Sequence, residues 1–193
     1  MQTALKAMLK ELEAFGRQHD ASVTERSGRM LNITPDTGEF LAVMTRATGA
    51  TRILEIGTSN GYSTLWLADA AGAGALVTTV ELLPEKAALA RSNFTRACLK
   101  ERIDQVEGDA GAYLAGCADA SVDLLFLDAE RRAYLDWWPQ LARVLRPGGL
   151  LVVDNAVSHA QEMAPFMQTV RADSGWSSSL VQVGKGQFLA ARH

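Results

Sequence analysis

The apolar positions change period once along the chain. Ala4, Leu5, Met8, Leu9, Leu12 and Phe15 recur at steps of three and four, with Lys6, Lys10, Glu11 and Glu13 between them. That spacing predicts an amphipathic helix over Thr3–Phe15. The polar stretch from His19 to Ser27 reads as a loop. Thr34-Pro35-Asp36 predicts the start of a second helix, with Thr34 as cap and Pro35 in the first helical position. Phe40, Leu41, Met44 and Ala47 form its apolar stripe.

From Thr51 onward, short apolar runs alternate with helical stretches. Arg52–Gly57, Leu76–Glu81, Ile103–Glu107, Val122–Asp128 and Leu150–Asp154 are the strand candidates. Tyr62–Ala71, Pro84–Cys98, Gly111–Gly116, Arg132–Leu145 and His159–Ala172 are the helix candidates. This alternation predicts a parallel sheet with helices on both faces. Leu180–Val183 and Gln187–Ala190 flank Gly184-Lys185-Gly186 and read as a β-hairpin. The expectation is one α/β domain, with residues 1–50 as a helical cover and residues 51–193 as the core.

Composition narrows the classes. Of 193 residues, 48% are hydrophobic and 21% charged, which suits a globular protein and not a disordered one. The net charge of −3 argues against nucleic acid as a partner, since sequence-independent binding needs a basic surface. No apolar run is long enough for a membrane span, and the N-terminal residues lack a secretory pattern, so a cytoplasmic protein with no membrane partner is expected. Cys98 and Cys117 show neither CxxC spacing nor a disulfide framework and read as buried small hydrophobes.

The chemistry lies at the strand ends, where ligands bind in such sheets. The first strand ends Glu55-Ile56-Gly57-Thr58-Ser59-Asn60-Gly61-Tyr62-Ser63. Gly57 and Gly61 permit a tight turn close to a ligand. Ser59 replaces the middle glycine of a dinucleotide fingerprint, which disfavours a pyrophosphate. Glu55 would repel phosphate but engage a cationic ligand. Glu81, twenty positions after Gly61, is placed to accept ribose hydroxyls, and Gly108-Asp109-Ala110 to read an adenine amino group. Together these suit a nucleoside carrying positive charge, as S-adenosylmethionine does. Asp128 ends the fourth strand, and Asp154 and Asn155 the fifth. Two carboxylates and an amide carbonyl are hard ligands for a divalent cation, Mg²⁺ foremost, with Mn²⁺ or Ca²⁺ as alternatives.

Arg52–Ala68, Val80–Glu81, Gly108–Ala110, Phe126–Ala129 and Pro147–Asn155 resemble the class I SAM-dependent O-methyltransferases, in the catechol and caffeoyl-CoA O-methyltransferase-like branch. The resemblance runs from about Asn32 to the C-terminal hairpin. It implies a Rossmann-like, doubly wound, seven-stranded, mostly parallel sheet with an antiparallel last strand and an N-terminal helical extension. It implies that Glu55, Gly57, Ser59 and Ser63 surround the methionine part of the cofactor, that Glu81 holds the ribose and that Asp109-Ala110 contact adenine. Gly61, Leu82 and Asp128 join that cofactor set, and Ile33 falls where the family closes over the cofactor. The matching Asp128, Asp154 and Asn155 bind a divalent cation in the family, and homodimers are common.

One departure stands out. The family usually has a lysine three residues after the first aspartate, as candidate base, but this chain reads Asp128-Ala129-Glu130-Arg131. Arginine stays protonated and cannot take the proton. Arg131 is left to attract or stabilise negative charge, and His159 is the alternative catalytic candidate. Arg26, Arg29 and Arg131 form a candidate cationic rim for an acidic substrate. Tyr134, Trp137 and Trp138 read as packing residues more readily than as an aromatic substrate shelf. The expected activity is methyl transfer to a hydroxyl of a small, catechol-like acceptor with metal assistance. A tRNA-base O-methyltransferase and an inactive SAM-binding sensor are the alternatives.

Overall fold

The computed structural model describes Met1 and residues 3–193. Two helices come first, α1 (Thr3–Ser22) and α2 (Pro35–Thr48). They are followed by β1 (Arg52–Ile56), α3 (Tyr62–Ala71), β2 (Leu76–Glu81), α4 (Pro84–Arg96), β3 (Ile103–Glu107) and α5 (Ala110–Gly116). Next come β4 (Val122–Leu127), α6 (Tyr134–Val144), β5 (Leu145–Val153), α7 (Ala160–Ala172), β6 (Trp176–Val181) and β7 (Gln187–Arg192). The seven strands form one sheet in the order β3-β2-β1-β4-β5-β7-β6. β1 to β5 pair in parallel, and β7 runs antiparallel to both β5 and β6. The Rossmann-like sheet with an antiparallel last strand is therefore present. No helix of the described residues is long and apolar enough to cross a membrane.

The two-residue period of the strands sorts their side chains between two cores. Leu54, Ile56, Leu125, Leu127, Leu151 and Val153 face α5, α6 and α7, packing on Leu114, Leu141, Phe166 and Val170. Ile53, Leu124, Phe126 and Val152 face the other way, onto Leu5, Leu9 and Leu12 of α1, Leu41 of α2, Leu65 of α3 and Phe94 of α4. Burying each such leucine contributes roughly 1.5–3 kcal/mol. Leu5, Met8, Leu9 and Leu12 of the predicted α1 stripe are buried, while Ala4 and Phe15 at its ends are exposed. All of β4 is buried, and its sequence is apolar throughout except for Asp123.

Local differences have local causes. α1 continues to Ser22, and Arg26–Gly28 forms a 3-10 turn, where a loop was expected from His19. Polarity misleads there because the side chains bond nearby backbone. Ser22 Oγ donates to the His19 carbonyl at 2.8 Å, and the Asp20 carboxylate accepts the N–H groups of Met30 and Leu31 at 2.6 and 2.9 Å. β5 starts at Leu145, carrying Pro147-Gly148-Gly149 inside it, with a register shift against β4 between Val122 and Leu124. The cysteines are not buried: Cys98 is exposed in the turn after α4, and Cys117 is half-buried at the end of α5, its thiol 3.4 Å from the Tyr113 carbonyl.

Candidate active site

The parallel ladder extends one residue past each strand, and this gathers the predicted residues. The N–H of Gly57 donates to Val80 at 3.0 Å, that of Asp128 to Ile56 at 3.0 Å, that of Asp154 to Leu127 at 3.0 Å and that of Gly108 to Glu81 at 2.8 Å. Strand order reverses between β1 and β4, and a cavity of about 930 Å³ opens in that region. It is lined by both expected groups of residues.

At one end stand Gly57, Ser59, Ser63, Glu81, Leu82, Asp109 and Ala110. Gly57 has φ 105°, and a Cβ there would lie 2.3 Å from the Asp128 carbonyl oxygen. Only glycine lets the two strand ends approach this closely. The Glu81 carboxylate accepts the N–H of Ser59 at 2.7 Å and of Leu83 at 3.0 Å, one on each oxygen. Each oxygen retains a lone pair for a further donor. Ser59 Oγ donates to the Met30 carbonyl at 2.6 Å, tying the glycine loop to Met30, Leu31 and Asn32, which also line the cavity. Asp109 caps α5 by accepting from Ala112 N–H at 2.8 Å. Trp137 joins this wall, its indole so near Gly111 that a Cβ there would meet Nε1 at 2.9 Å.

Three residues expected at the cofactor lie outside the cavity lining. Glu55 is fully buried behind it, accepting from Ser63 Oγ at 2.6 Å, from Thr79 Oγ1 at 2.6 Å and from Thr64 Oγ1. It pins α3 and β2 to β1 and has no face open to a cationic ligand. Burial pushes its carboxyl up to about 7, against the pull of the three hydroxyls. Gly61 is the left-handed cap of α3, set against the Phe94 ring. Ile33 is 3% exposed within the α1 core, leaving the segment before it to line the cavity.

At the other end stand Asp128, Arg131, Asn155, Ser158, His159 and Lys185. Asn155 Nδ2 donates to Asp128 at 2.9 Å and to Asp154 at 3.1 Å. Asp154 is 1% exposed and does not line the cavity itself; its second oxygen accepts from Gln187 Nε2. Burial, and then the charge of Asp154, push the Asp128 carboxyl well above its usual range. Burial also raises Asp154, against its bonds to Gln187 and Asn155. Among the described residues no three His, Cys, Asp or Glu side chains gather as a metal cluster. The candidate ligands are two carboxylates and an amide. The buried Asp154 and half-buried Asp128 suit a hard divalent cation, which would balance their charge, and Asn155 would join them through Oδ1 with its Nδ2 turned away.

Arg131 donates through Nε to Glu162 at 2.8 Å and keeps 9% side-chain exposure. His159 caps α7, with Nδ1 2.9 Å from Ser158 Oγ; burial first, then Arg131, lowers its pKa. Arg26 lines the cavity, but Arg29 turns away to the carbonyls of Val23 and Thr24 at 2.8 and 3.4 Å. Tyr134 and Trp138 are core residues, as expected, with Tyr134 Oη accepting the Ala129 N–H at 2.7 Å. Trp137 packs against the core, as expected, and is also a wall of the cavity. Lys185 and Gln187 carried no chemical signal in the sequence beyond a glycine-flanked hairpin turn.

A family model described as O-methyltransferase matches residues 3–192. A catechol O-methyltransferase of Mycobacterium tuberculosis is 40% identical over 65% of this chain and 57% of its own length. A catechol O-methyltransferase of Niastella koreensis is 32% identical over 70% of this chain and 63% of its own length. The match thus spans less than two thirds of either relative. Among solved structures, an O-methyltransferase from Bacillus cereus in complex with SAH is 27% identical, covering 97% of this chain and 91% of that one, with a TM-score of 0.83.

Proposed function

The chain belongs to the O-methyltransferase family, and on that basis we propose that it moves a methyl group from S-adenosylmethionine to a hydroxyl of a small, catechol-like acceptor. One observation carries the reading. A single cavity is lined by Glu81, a carboxylate preset by two backbone N–H groups, and by Asp128, which the Asn155 amide joins to the buried Asp154 behind it.

Glu81, with spare lone pairs, accepts the ribose hydroxyls. Asp109 and Ala110 bound the adenine end together with Trp137. The Gly57–Ser63 loop lies beside the methionine part, held from behind by Glu55. The methyl group comes from the cofactor's sulfonium, a good leaving group that needs no protonation. What remains for the protein is alignment of the acceptor oxygen and stabilisation of its deprotonated form. Asp128, Asp154 and Asn155 are the residues that would hold a divalent cation, which when bound supplies Lewis-acid stabilisation of an acceptor oxygenate. Arg131 is anchored by Glu162 and adds fixed positive charge. His159, held neutral over a wider range by burial and then by Arg131, would offer Nε2 as a proton acceptor in the tautomer whose Nδ1–H donates to Ser158 Oγ.

The test is methyl transfer from labelled S-adenosylmethionine to a small panel of diphenols, with bulk tRNA as a parallel acceptor, before and after chelation and Mg²⁺ restoration. Transfer to diphenols that is lost on chelation and restored by Mg²⁺ supports the reading. Transfer to tRNA alone, or cofactor binding without transfer to any acceptor, would overturn it.

A further inference from the structure

The cavity is lined by cations from three unconnected parts of the chain. Arg26 comes from the turn before α2, Arg131 from the turn before α6 and Lys185 from the β6–β7 hairpin. His159 stands among them at the N-terminus of α7, a 13-residue helix. Its ring is held towards neutrality by burial and by the charges of Arg131, Arg26 and Lys185 together, with Glu162 opposing. All three cations thus line the cavity that His159 lines.

Their charge is incompletely balanced. Arg131 has Glu162, but among the described residues neither Arg26 nor Lys185 has a carboxylate within 4 Å. Glu81 and Asp109 accept backbone N–H groups, and Glu130 faces the Arg132 N–H at 3.4 Å. Asp128 and Asp154 feel the charge of Lys185, but Asn155 bonds both and neither pairs with the lysine within 4 Å. Lys86, the remaining lysine of the lining, donates to the Arg29 carbonyl at 2.7 Å. A sulfonium cofactor and a divalent cation give no reason to gather positive charge here. In a chain of net charge −3, three like charges around one concavity repel one another until an anion enters.

We propose that the methyl acceptor carries an anionic group, a carboxylate or phosphate-like group, received between Arg26, Arg131 and Lys185 while its hydroxyls face Asp128 and Asn155. This rests on the methyltransferase reading for the role of the ligand, though not for its binding. Arg29, which the sequence suggested for such a rim, gives way to Lys185.

Calorimetric titration of the SAH-loaded protein in Mg²⁺ tests the inference without turnover. The probes are 3,4-dihydroxybenzoate, its neutral methyl ester and 3,4-dihydroxyphenylphosphonate. The expected result is binding of at least one anion about tenfold tighter than the ester, with the preference shrinking at high salt. The tighter of the two anions identifies the group. In the Arg26→Gln/Lys185→Gln double variant the preference disappears, while ester affinity stays within about threefold. Equal affinity for acid, phosphonate and ester overturns the inference. So does a variant that weakens all three alike, since that is the outcome if Lys185 only balances Asp128 and Asp154. Anion binding without methyl transfer to any probe overturns the methyltransferase reading and leaves the anion site standing. Transfer with no anion preference does the reverse.

Discussion

Asn155 donates its side-chain amide to Asp128 at 2.9 Å, across the tips of β5 and β4. The same nitrogen reaches Asp154 at 3.1 Å, so one amide holds two carboxylates whose pKa values burial raises. The expected consequence is a metal dependence separable from cofactor binding. Asp154→Asn is expected to weaken Mn²⁺ binding at least about tenfold while changing SAH affinity less than about threefold. Gln187→Leu, which frees one oxygen of Asp154, should fall between that variant and wild type. Electron paramagnetic resonance of free Mn²⁺ and calorimetry with SAH read the two quantities separately. Unchanged Mn²⁺ affinity in Asp154→Asn removes this residue from the ligand set.

Glu55 makes stability depend on pH in the opposite sense to an ordinary ion-paired acid. Its carboxyl is raised to about 7 by burial, so the folded state binds a proton that the unfolded chain has released above the usual carboxylate range. Its contribution is fully present below about pH 4.5 and is lost as pH rises through about 7. The full shift corresponds to about 3 kcal/mol. Glu55→Gln keeps the shape and removes the titration. Urea unfolding between pH 4.5 and 8 should show wild type losing stability relative to this variant, by up to that amount. Parallel curves would show that Glu55 stays charged in the fold.

Much of this site was legible because its residues sit at predictable strand ends. Glu81, Asp109, Asp128 and Asn155 follow from where apolar runs stop, and a parallel ladder aligns those stops in space. Gly57 was legible for the same reason: the turn after β1 must pass the Asp128 carbonyl. The glutamate at position 55 lies two residues earlier, and its carboxylate is taken up by the hydroxyls of Ser63, Thr64 and Thr79, so its type suggested contact where its position in the strand dictates burial. Lys185 and Gln187 were illegible because the antiparallel pairing of β7 with β5, more than thirty residues away in sequence, brings them to Asp154. Trp137 and Trp138 are adjacent on α6 and both touch the core, but only Trp137 also reaches the cavity. Helical phase was not resolved finely enough from the apolar pattern to separate them.

Trp137 then becomes a test of where the adenine end lies. It lines the cavity beside Gly111 and the Asp109 cap. Trp137→Ala is expected to weaken SAH about tenfold, and Trp137→Phe by clearly less, since a smaller ring preserves part of the apolar wall. Thermal unfolding without ligand should fall only slightly in both, because the indole is partly exposed. An alanine variant with full SAH affinity would move the adenine elsewhere in the cavity.

The most heavily bonded acid lies at the far end of the sheet. Asp123, at the start of β4, accepts Thr51 N–H at 3.0 Å, Thr51 Oγ1 at 3.0 Å, Arg52 N–H at 2.8 Å, Arg52 Nη2 at 2.7 Å and Arg146 Nε at 2.8 Å. It clasps the entries of β1, β4 and β5. Burial alone would raise its pKa, but these donors, Arg52 first, hold it well below the usual carboxylate range. A depressed acid contributes stability above its unfolded pKa and loses it as pH falls below about 4. Asp123→Ala is therefore expected to cost about 2–4 kcal/mol at pH 7, because backbone and guanidinium donors lose a shared acceptor. SAH affinity should stay within about threefold in the folded fraction, since Asp123 sits at the opposite end of the strands from the cavity. Asp123→Asn should lose less at neutral pH and lack the acid-side fall of wild type. Denaturant unfolding at pH 7 and pH 3.5 measures both, and a wild-type profile no steeper than that of the asparagine variant would refute the clasp.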